Sequence, residues 1–394
     1  MKTGRLIPAL LGAIAFLIVF SGFLPLTWFR YADYEMARQV LQRDAPFIPN
    51  LHLRTSYFSP ADAEAGNLRP TETLPLRTFT TDSLGFRYSP PVRADEPPTV
   101  LVMRGFSFTF GVGLSDDQTF PAVLARDLGE NVYNGARFLN DPEMPADFDR
   151  LINKLQMQPK AVVYVHLEPN AHTLPPRNTS VARLGESILG PQLFESVERD
   201  VWFAHEFPLQ WIRLSPAIQV SVEAKKALQN DRILTNRYRK NVITFALPDG
   251  KRLLVRTGDL ERAQTDFDES VISERAAYIA WWKDQLAARG VPMTVLLVPD
   301  KMSVYGSELG VHLPSSPYLT RLEHELRARG VGVVNGLPVL REYVNADLAS
   351  GRLAYLREDE HWSALGVERL AHATAEALKS DPGWVGQSAS MGAQ

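Results

Sequence analysis

The sequence predicts an α/β fold, a parallel sheet with helices on both faces. Three observations predict it. Short, continuous apolar runs with β-branched residues recur along the chain, as in TVLVM (99–103), AVVYVHL (161–167) and PMTVLLV (292–298). Unbroken apolar runs, rather than alternating ones, mark strands covered on both sides. Segments of ten or so residues with helical periodicity separate the runs, which is the rhythm of βαβ units. Several runs also end in Gly or polar residues, as the ligand-bearing edge of a parallel sheet does.

Composition sets limits on function. The chain has 394 residues, 45% apolar and 22% charged, with a formal net charge of −3. That balance carries no basic field for nucleic acid. There are no cysteines, so disulfides, thiolate zinc sites and thiol catalysis are excluded. The eight histidines form no H-x₃-H or H-E-x-x-H pattern, and neither a metal nor a cofactor is expected.

Residues 6–29 are uncharged and mostly apolar, after Lys2 and Arg5. About 20 apolar residues span a bilayer as a helix. Residues 1–29 therefore read as an uncleaved N-terminal transmembrane anchor, with its positive end in the cytoplasm and the rest of the chain outside, in the periplasm of a Gram-negative cell. Trp28 and Tyr31 suit the outer interface. Residues 31–43 read as a short helix leaving the membrane. Residues 30–97 read as an extended arm packed on the main domain, with a simple linker as the competing reading. Asp82-Ser83-Leu84-Gly85 is a turn signal, and prolines 90, 91, 97 and 98 mark a boundary.

The main domain is expected over residues 98–380. The strand at 99–103 breaks at Gly105, which puts Ser107 just past its end among Phe106, Phe108 and Phe110. A helix over 119–128 follows, then a short strand over 131–136 ending in Asn134-Gly135, a helix over 147–156 and the strand over 161–167. Residues 171–270 break the rhythm and read as an inserted subdomain. They contain a hairpin with Asp249-Gly250 at its turn. The insertion's Trp202, Phe203, Phe207, Trp211 and Tyr238 could line a glycan cleft, although aromatics of this kind more often form a local core. The βα pattern resumes with a helix over 273–289 containing Trp281 and Trp282, the strand over 292–298, a helix over 317–329, a strand over 331–334 and a helix over 339–349. The final helix starts near Ala364, and Gly366 fits a close backbone approach. Residues 381–394 read as a disordered tail.

A serine at a sheet edge is a nucleophile only when a base reaches it. The most plausible base is His361, and Asp359 two residues earlier can orient its ring, with Glu358 and Glu360 as competitors. Each residue alone is weak evidence. A serine after a strand is usually a turn residue, and a histidine before a helix is usually a cap.

Together these residues resemble the SGNH (GDSL-type) hydrolase superfamily, and within it the membrane-anchored or periplasmic alginate O-acetyltransferase-like proteins that O-acetylate polysaccharides. Gly105 to Gly111 matches the Gly-Asp-Ser block, Asn134-Gly135 the glycine block, Asn170 the asparagine block and Asp359-Glu360-His361-Trp362 the D-x-H block. LGFR at 84–87 and VPDK at 298–301 are similar to stretches flanking this core. Two positions depart from the pattern: Phe106 replaces the usual Asp, and Asn170-Ala171 replaces the usual Asn-Asp. The resemblance implies a three-layer α/β/α sandwich. It also implies a Ser107–His361–Asp359 triad and an oxyanion hole of the Ser107 and Gly135 N–H groups with the Asn170 side chain. Arg104 and Trp362 are candidates for substrate contact, Arg104 through a uronate carboxylate. The implied function is O-acetylation of an exopolysaccharide or envelope glycan beside a membrane-bound O-acyltransferase partner supplying acetyl groups. An esterase or deacetylase on the same fold, or a non-catalytic glycan-binding scaffold, is the alternative.

Overall fold

Burial on both faces decides which segments form the central sheet. The computed structural model describes residues 47–168 and 241–381 apart from 48, 56–59, 67, 69, 137–143 and 316, together with residues 12, 16 and 384. Strands β3 (Val100–Arg104), β4 (Val132–Gly135), β5 (Ala161–Leu167), β8 (Met293–Val298) and β9 (Gly332–Asn335) form a five-stranded parallel sheet in the order β4-β3-β5-β8-β9. Every residue of β5 and of β8 is buried, which is why both are written as unbroken apolar runs. This is a doubly wound order. It reverses direction between β3 and β5, and a crevice opens at such a switch point outside the carboxyl ends of the strands. Ser107 follows β3 directly.

Helices cover both faces. Helix α3 (Phe120–Leu128) packs on α11 (Ala364–Lys379), and α6 (Glu269–Ala287) packs on α8 (Tyr318–Ala328). Phe148 of α4 (Met144–Leu155) meets the buried Trp282 of α6 edge to face, with ring centroids 6.2 Å apart, while neighbouring Trp281 faces solvent. Each predicted strand and helix of this core is present, with ends shifted by a few residues. One expectation is corrected. The single helix expected over 339–349 is two helices, α9 (Gly336–Arg341) and α10 (Val344–Ser350). The backbone leaves the helical region at Tyr343 (φ −104°, ψ 0°). Arg369 fixes the break by stacking over the Tyr343 ring at 4.1 Å and binding both oxygens of Asp347.

Residues 47–97 are built onto the domain. Strand β1 (His52–Thr55) pairs antiparallel with β2 (Arg77–Thr80), and α1 (Ala61–Ala65) lies between them in sequence. Gly85 takes φ 75° in the predicted turn, where the Asp82 side chain accepts from Leu84 and Phe86 N–H. Arg87 is almost wholly buried. It donates to Asp116 at 2.8 Å and lies over Phe79 and Phe110 at 4.3 and 5.2 Å. Buried arginines need such paired acceptors to offset desolvation. Phe110 ends the short helix that carries Ser107, so the arm is locked to the serine's own element.

The predicted hairpin is β6 (Val242–Ala246) and β7 (Arg252–Arg256), with Gly250 at φ 77° in its turn. It belongs to the core as much as to an insertion. Leu253 and Val255 are buried in the central cluster, and Leu254 N–H donates to the Arg357 carbonyl at 2.7 Å. Helix α5 (Thr257–Ala263) follows β7 and leads to α6. The five insertion aromatics lie outside the described residues, as do the helix expected at 31–43, the tail beyond 384 and, apart from Gly12 and Phe16, the segment 6–29. Among the described residues no helix is long and apolar enough to cross a membrane.

Gly366 sits where the sequence places a close approach. A Cβ there would overlap the Ala354 carbonyl oxygen, a backbone atom that cannot rotate away. Gly366→Ala gains about 1 kcal/mol of helix propensity. We expect overpacking to exceed that and lower the stability by about 2 kcal/mol net, read as a fall in Tm. An unchanged or raised Tm would show that α11 can shift freely at this contact.

Candidate active site

The carboxyl end of β3 turns sharply. Arg104, Gly105 and Phe106 all take positive φ, 68°, 73° and 45°. Left-handed backbone costs of order 1–3 kcal/mol at a non-glycine residue and persists only where the surroundings enforce it. Gly105 cannot carry a side chain, because a Cβ would strike Thr109 and Val165. The Arg104 guanidinium lies over the Phe106 ring at 4.6 Å, which pairs the two strained residues. The turn launches the one-turn helix α2 (Phe106–Phe110), with Ser107 as its second residue. A residue in that position has no intrahelical acceptor for its N–H. Asn134, at the end of the neighbouring strand, donates from Nδ2 to the Thr109 carbonyl at 3.0 Å and braces α2 from below. Gly135 is in register with Met103, and a side chain there would press on the Val102 carbonyl at 2.8 Å.

The other half of the site comes from a tight loop before α11. Tyr355 and Trp362 form an antiparallel bridge, and Leu356 N–H donates to the His361 carbonyl at 2.9 Å. Asp359 folds back within this loop. Its Oδ1 accepts from the His361 backbone N–H at 2.9 Å and faces His361 Nδ1 at 2.5 Å. On the opposite side of the ring, His361 Nε2 lies 2.6 Å from Ser107 Oγ across 254 residues of sequence. The two oxygens of Asp359 have different partners, since Oδ2 accepts from the Ala61 N–H of the arm at 2.6 Å.

Glu358 and Glu360, the other acids of the loop, are committed elsewhere. Glu358 accepts from Thr71 N–H, Thr71 Oγ and Glu72 N–H and pairs with Arg252. Glu360 pairs with Arg256 at 3.3 Å.

Burial works against charge on both members of the His–Asp pair. Burial by itself raises the Asp359 pKa, but the His361 charge and the hydrogen bonds from His361 and Ala61 overcome it and hold the group at about 2. Burial by itself lowers the His361 pKa; the Asp359 carboxylate outweighs it, and the net shift is upward. Hydrogen-bonded opposite charges stabilise the charged forms in this way. His361 thus has the environment of a base whose protonated state is stabilised by a fixed carboxylate.

Trp362 does not meet substrate, and that expectation is corrected. Its side chain is 0% exposed, stacked on Phe120 at 5.7 Å and edge-on to Phe108 at 5.4 Å. Phe108 in turn lies against the His361 ring at 4.7 Å. The indole wedges the histidine loop against α2 and α3. Asn170 lies outside the described residues. Glu168, two residues before it, is buried and accepts from Asp300 N–H at 2.7 Å, which ties the ends of β5 and β8 together. Among the described residues no group of three or more His, Asp or Glu side chains is arranged to hold a metal ion.

Sequence reasoning missed Ala61, Asp62 and Lys301. Lys301 opens the short helix α7 (Lys301–Tyr305); its Nζ, almost wholly out of solvent, donates to Asp62 Oδ2 at 2.7 Å and to the Leu254 carbonyl at 2.8 Å. Only VPDK could have pointed to it, because a lysine directly after an apolar strand is unusual enough to ask for a buried partner.

Known proteins resemble parts of this chain. Residues 253–391 match the family model of the SGNH hydrolase-like domain of the acetyltransferase AlgX. That stretch includes Asp359 and His361 and leaves out Ser107. The probable alginate O-acetylase AlgJ of Pseudomonas putida is 31% identical over 120 residues, 30% of this chain and 31% of that protein. The chain thus spans under a third of this relative. A lipolytic protein of the G-D-S-L family from Desulfitobacterium hafniense aligns over 71% of this chain and 99% of its own, at 12% identity and a TM-score of 0.32. The chain thus has a parallel-sheet α/β fold, and its residues 253–391 are similar to the SGNH hydrolase-like domain of the acetyltransferase AlgX.

Proposed function

We propose that the protein is an O-acetyltransferase that acts on an exopolysaccharide or cell-envelope glycan through an acetyl-serine. The observation that carries this reading is the unbroken contact chain Ser107 Oγ–His361 Nε2 and His361 Nδ1–Asp359 Oδ1, at 2.6 and 2.5 Å. The similarity of residues 253–391 to an acetyltransferase domain supports transfer over hydrolysis.

In this mechanism His361 Nε2 takes the Ser107 Oγ proton as Oγ bonds to the acetyl carbonyl carbon of the donor. The carbonyl oxygen becomes an oxyanion, held by the Ser107 and Gly135 N–H groups and the Asn170 side chain. Preorganised donors of this kind are worth about 3 kcal/mol each in the transition state. The donor's leaving oxygen departs with the proton from His361. A glycan hydroxyl then gives its proton to His361 and attacks the acetyl-serine. Collapse of the second oxyanion returns the proton to Ser107 and releases the acetylated glycan. Water in place of the hydroxyl makes the same site an esterase. Arg104, whose guanidinium lies over the Phe106 ring, would meet an acidic sugar in this reading.

Residues 6–29 would anchor the chain in the cytoplasmic membrane with residues 30–394 in the periplasm, in reach of a membrane-bound O-acyltransferase partner that supplies acetyl groups. The length and apolar character of that segment support the anchor.

Intact-mass spectrometry tests the reading. Full-length protein in detergent, exposed to an activated acetyl ester, is expected to gain a single acetyl group that is absent in Ser107→Ala and is discharged by an oligosaccharide acceptor. Folded protein that gains no acetyl group and turns over no ester would overturn it in favour of a non-catalytic scaffold.

A further inference from the structure

Asp359 is held from two sides, and only one side belongs to its own loop. Oδ1 serves His361. Oδ2 accepts from the first amide of α1, Ala61 N–H, at 2.6 Å and 298 residues away in sequence. The position of that amide is itself fixed. Asp62, the next residue, is fully buried and bonded to Lys301 Nζ at 2.7 Å, with Arg256 Nε at 3.3 Å. Ala63 N–H donates to the Glu358 carbonyl at 3.2 Å. Three consecutive arm residues therefore contact the segment 358–359 or the strands beside it. An ionised carboxylate with two free rotational partners wanders. One whose second oxygen is bonded to a fixed backbone amide presents the first in a single direction.

We infer that α1 of the N-terminal arm is part of the active site. Ala61 N–H is the positioning group that aims Asp359 at His361, and the Asp62–Lys301 ion pair is the seat that holds it there. The inference rests on the acyl-enzyme reading for its kinetic consequence, but the aim of Asp359 can be read without turnover.

A proline at position 61 tests this with little other disturbance. Proline is well tolerated at the first helical position, because its missing N–H and fixed φ suit a helix start. Ala61→Pro deletes the N–H that donates to Asp359 Oδ2, whereas Ala61→Gly removes the side chain and keeps the N–H. Hydrogen bonds to charged groups contribute enough that A61P should lower kcat for p-nitrophenyl acetate by about 10- to 100-fold, with KM unchanged. A61G, which keeps the N–H, should lose at most a small part of the activity that A61P loses. The second readout is the downfield proton resonance of His361 Nδ1–H in its bond to Asp359. We expect it in wild type and A61G and expect it broadened or lost in A61P. Asp62→Asn, which loosens the seat and leaves the amide in place, should weaken both readouts in the same direction.

Folded A61P with wild-type kcat and an unchanged resonance overturns the inference and leaves the acyl-enzyme reading standing. Wild-type protein that forms no acetyl adduct, while A61P alone loses the resonance, supports the positioning role and overturns the acyl-enzyme reading. Loss of Tm without loss of kcat per folded molecule would make the arm a purely structural brace and overturn the inference. Should A61P not fold, D62N decides by the same two readouts.

Discussion

His361→Ala is expected to lower kcat/KM for ester turnover by roughly 10⁴- to 10⁶-fold, the range seen when a member of a serine–histidine unit is removed. Among the described residues, the base within reach of Ser107 Oγ is His361 Nε2 at 2.6 Å. Without it the hydroxyl must lose its proton to water as it attacks. The loss should fall on kcat, because the ring touches Ser107, Asp359 and Phe108 rather than the space a donor would occupy. Near-UV circular dichroism should be preserved, since Trp362 keeps its contacts with Phe108 and Phe120. Residual turnover within tenfold of wild type would remove His361 from the proposed mechanism.

Asp359→Asn is expected to cost about 10⁴-fold in kcat/KM, comparable to the same change in other serine–histidine–aspartate sites. The local geometry gives the reason. Oδ1 receives the His361 backbone N–H and faces Nδ1, while Oδ2 receives Ala61 N–H. An asparagine has only one oxygen. If that oxygen faces Ala61, its NH₂ meets Nδ1, which forces the ring proton onto Nε2 and removes the acceptor that Ser107 needs. If it faces His361, the NH₂ opposes Ala61 N–H. The pH profile should move as well. His361 must be neutral to act, so wild-type kcat/KM should rise through an acid limb above the ordinary histidine value of about 6.5. Removing the carboxylate leaves burial, which lowers the His361 pKa, opposed only by the smaller effects of Glu360 and Asp62, so the limb in Asp359→Asn should move to lower pH. A limb that stays in place would mean that Asp359 does not set the His361 charge.

The parallel strands were legible because burial on both faces demands unbroken apolar runs, and AVVYVHL and PMTVLLV leave no polar position to face solvent. The D-x-H spacing was legible because an aspartate two residues before a histidine can close a local turn. Trp362 was misread because its indole lies beside the histidine in sequence but points into the α2–α3 contact, and side-chain direction in an irregular loop has no periodicity to read. Ala61 was invisible for a different reason. It acts through a backbone amide, which every residue but proline possesses, and its partner lies 298 residues away. The break at Tyr343 was hidden because no glycine or proline marks it, and the stacking that fixes it comes from Arg369 on another helix. The strained turn at Arg104 and Phe106 was equally hidden, since non-glycine residues seldom adopt positive φ and nothing in their identity announces it.

The 254 residues between Ser107 and His361 also separate them in time. A ribosome adding about 5–20 residues per second exposes the serine tens of seconds before its base has been made. During that interval the nascent chain carries a hydroxyl no more reactive than any other serine, even with the first three strands already paired. Any chain cut short before residue 361 is equally inert. Acylating power arrives as one of the last events of biosynthesis, and its appearance reports that the two ends of the domain have met.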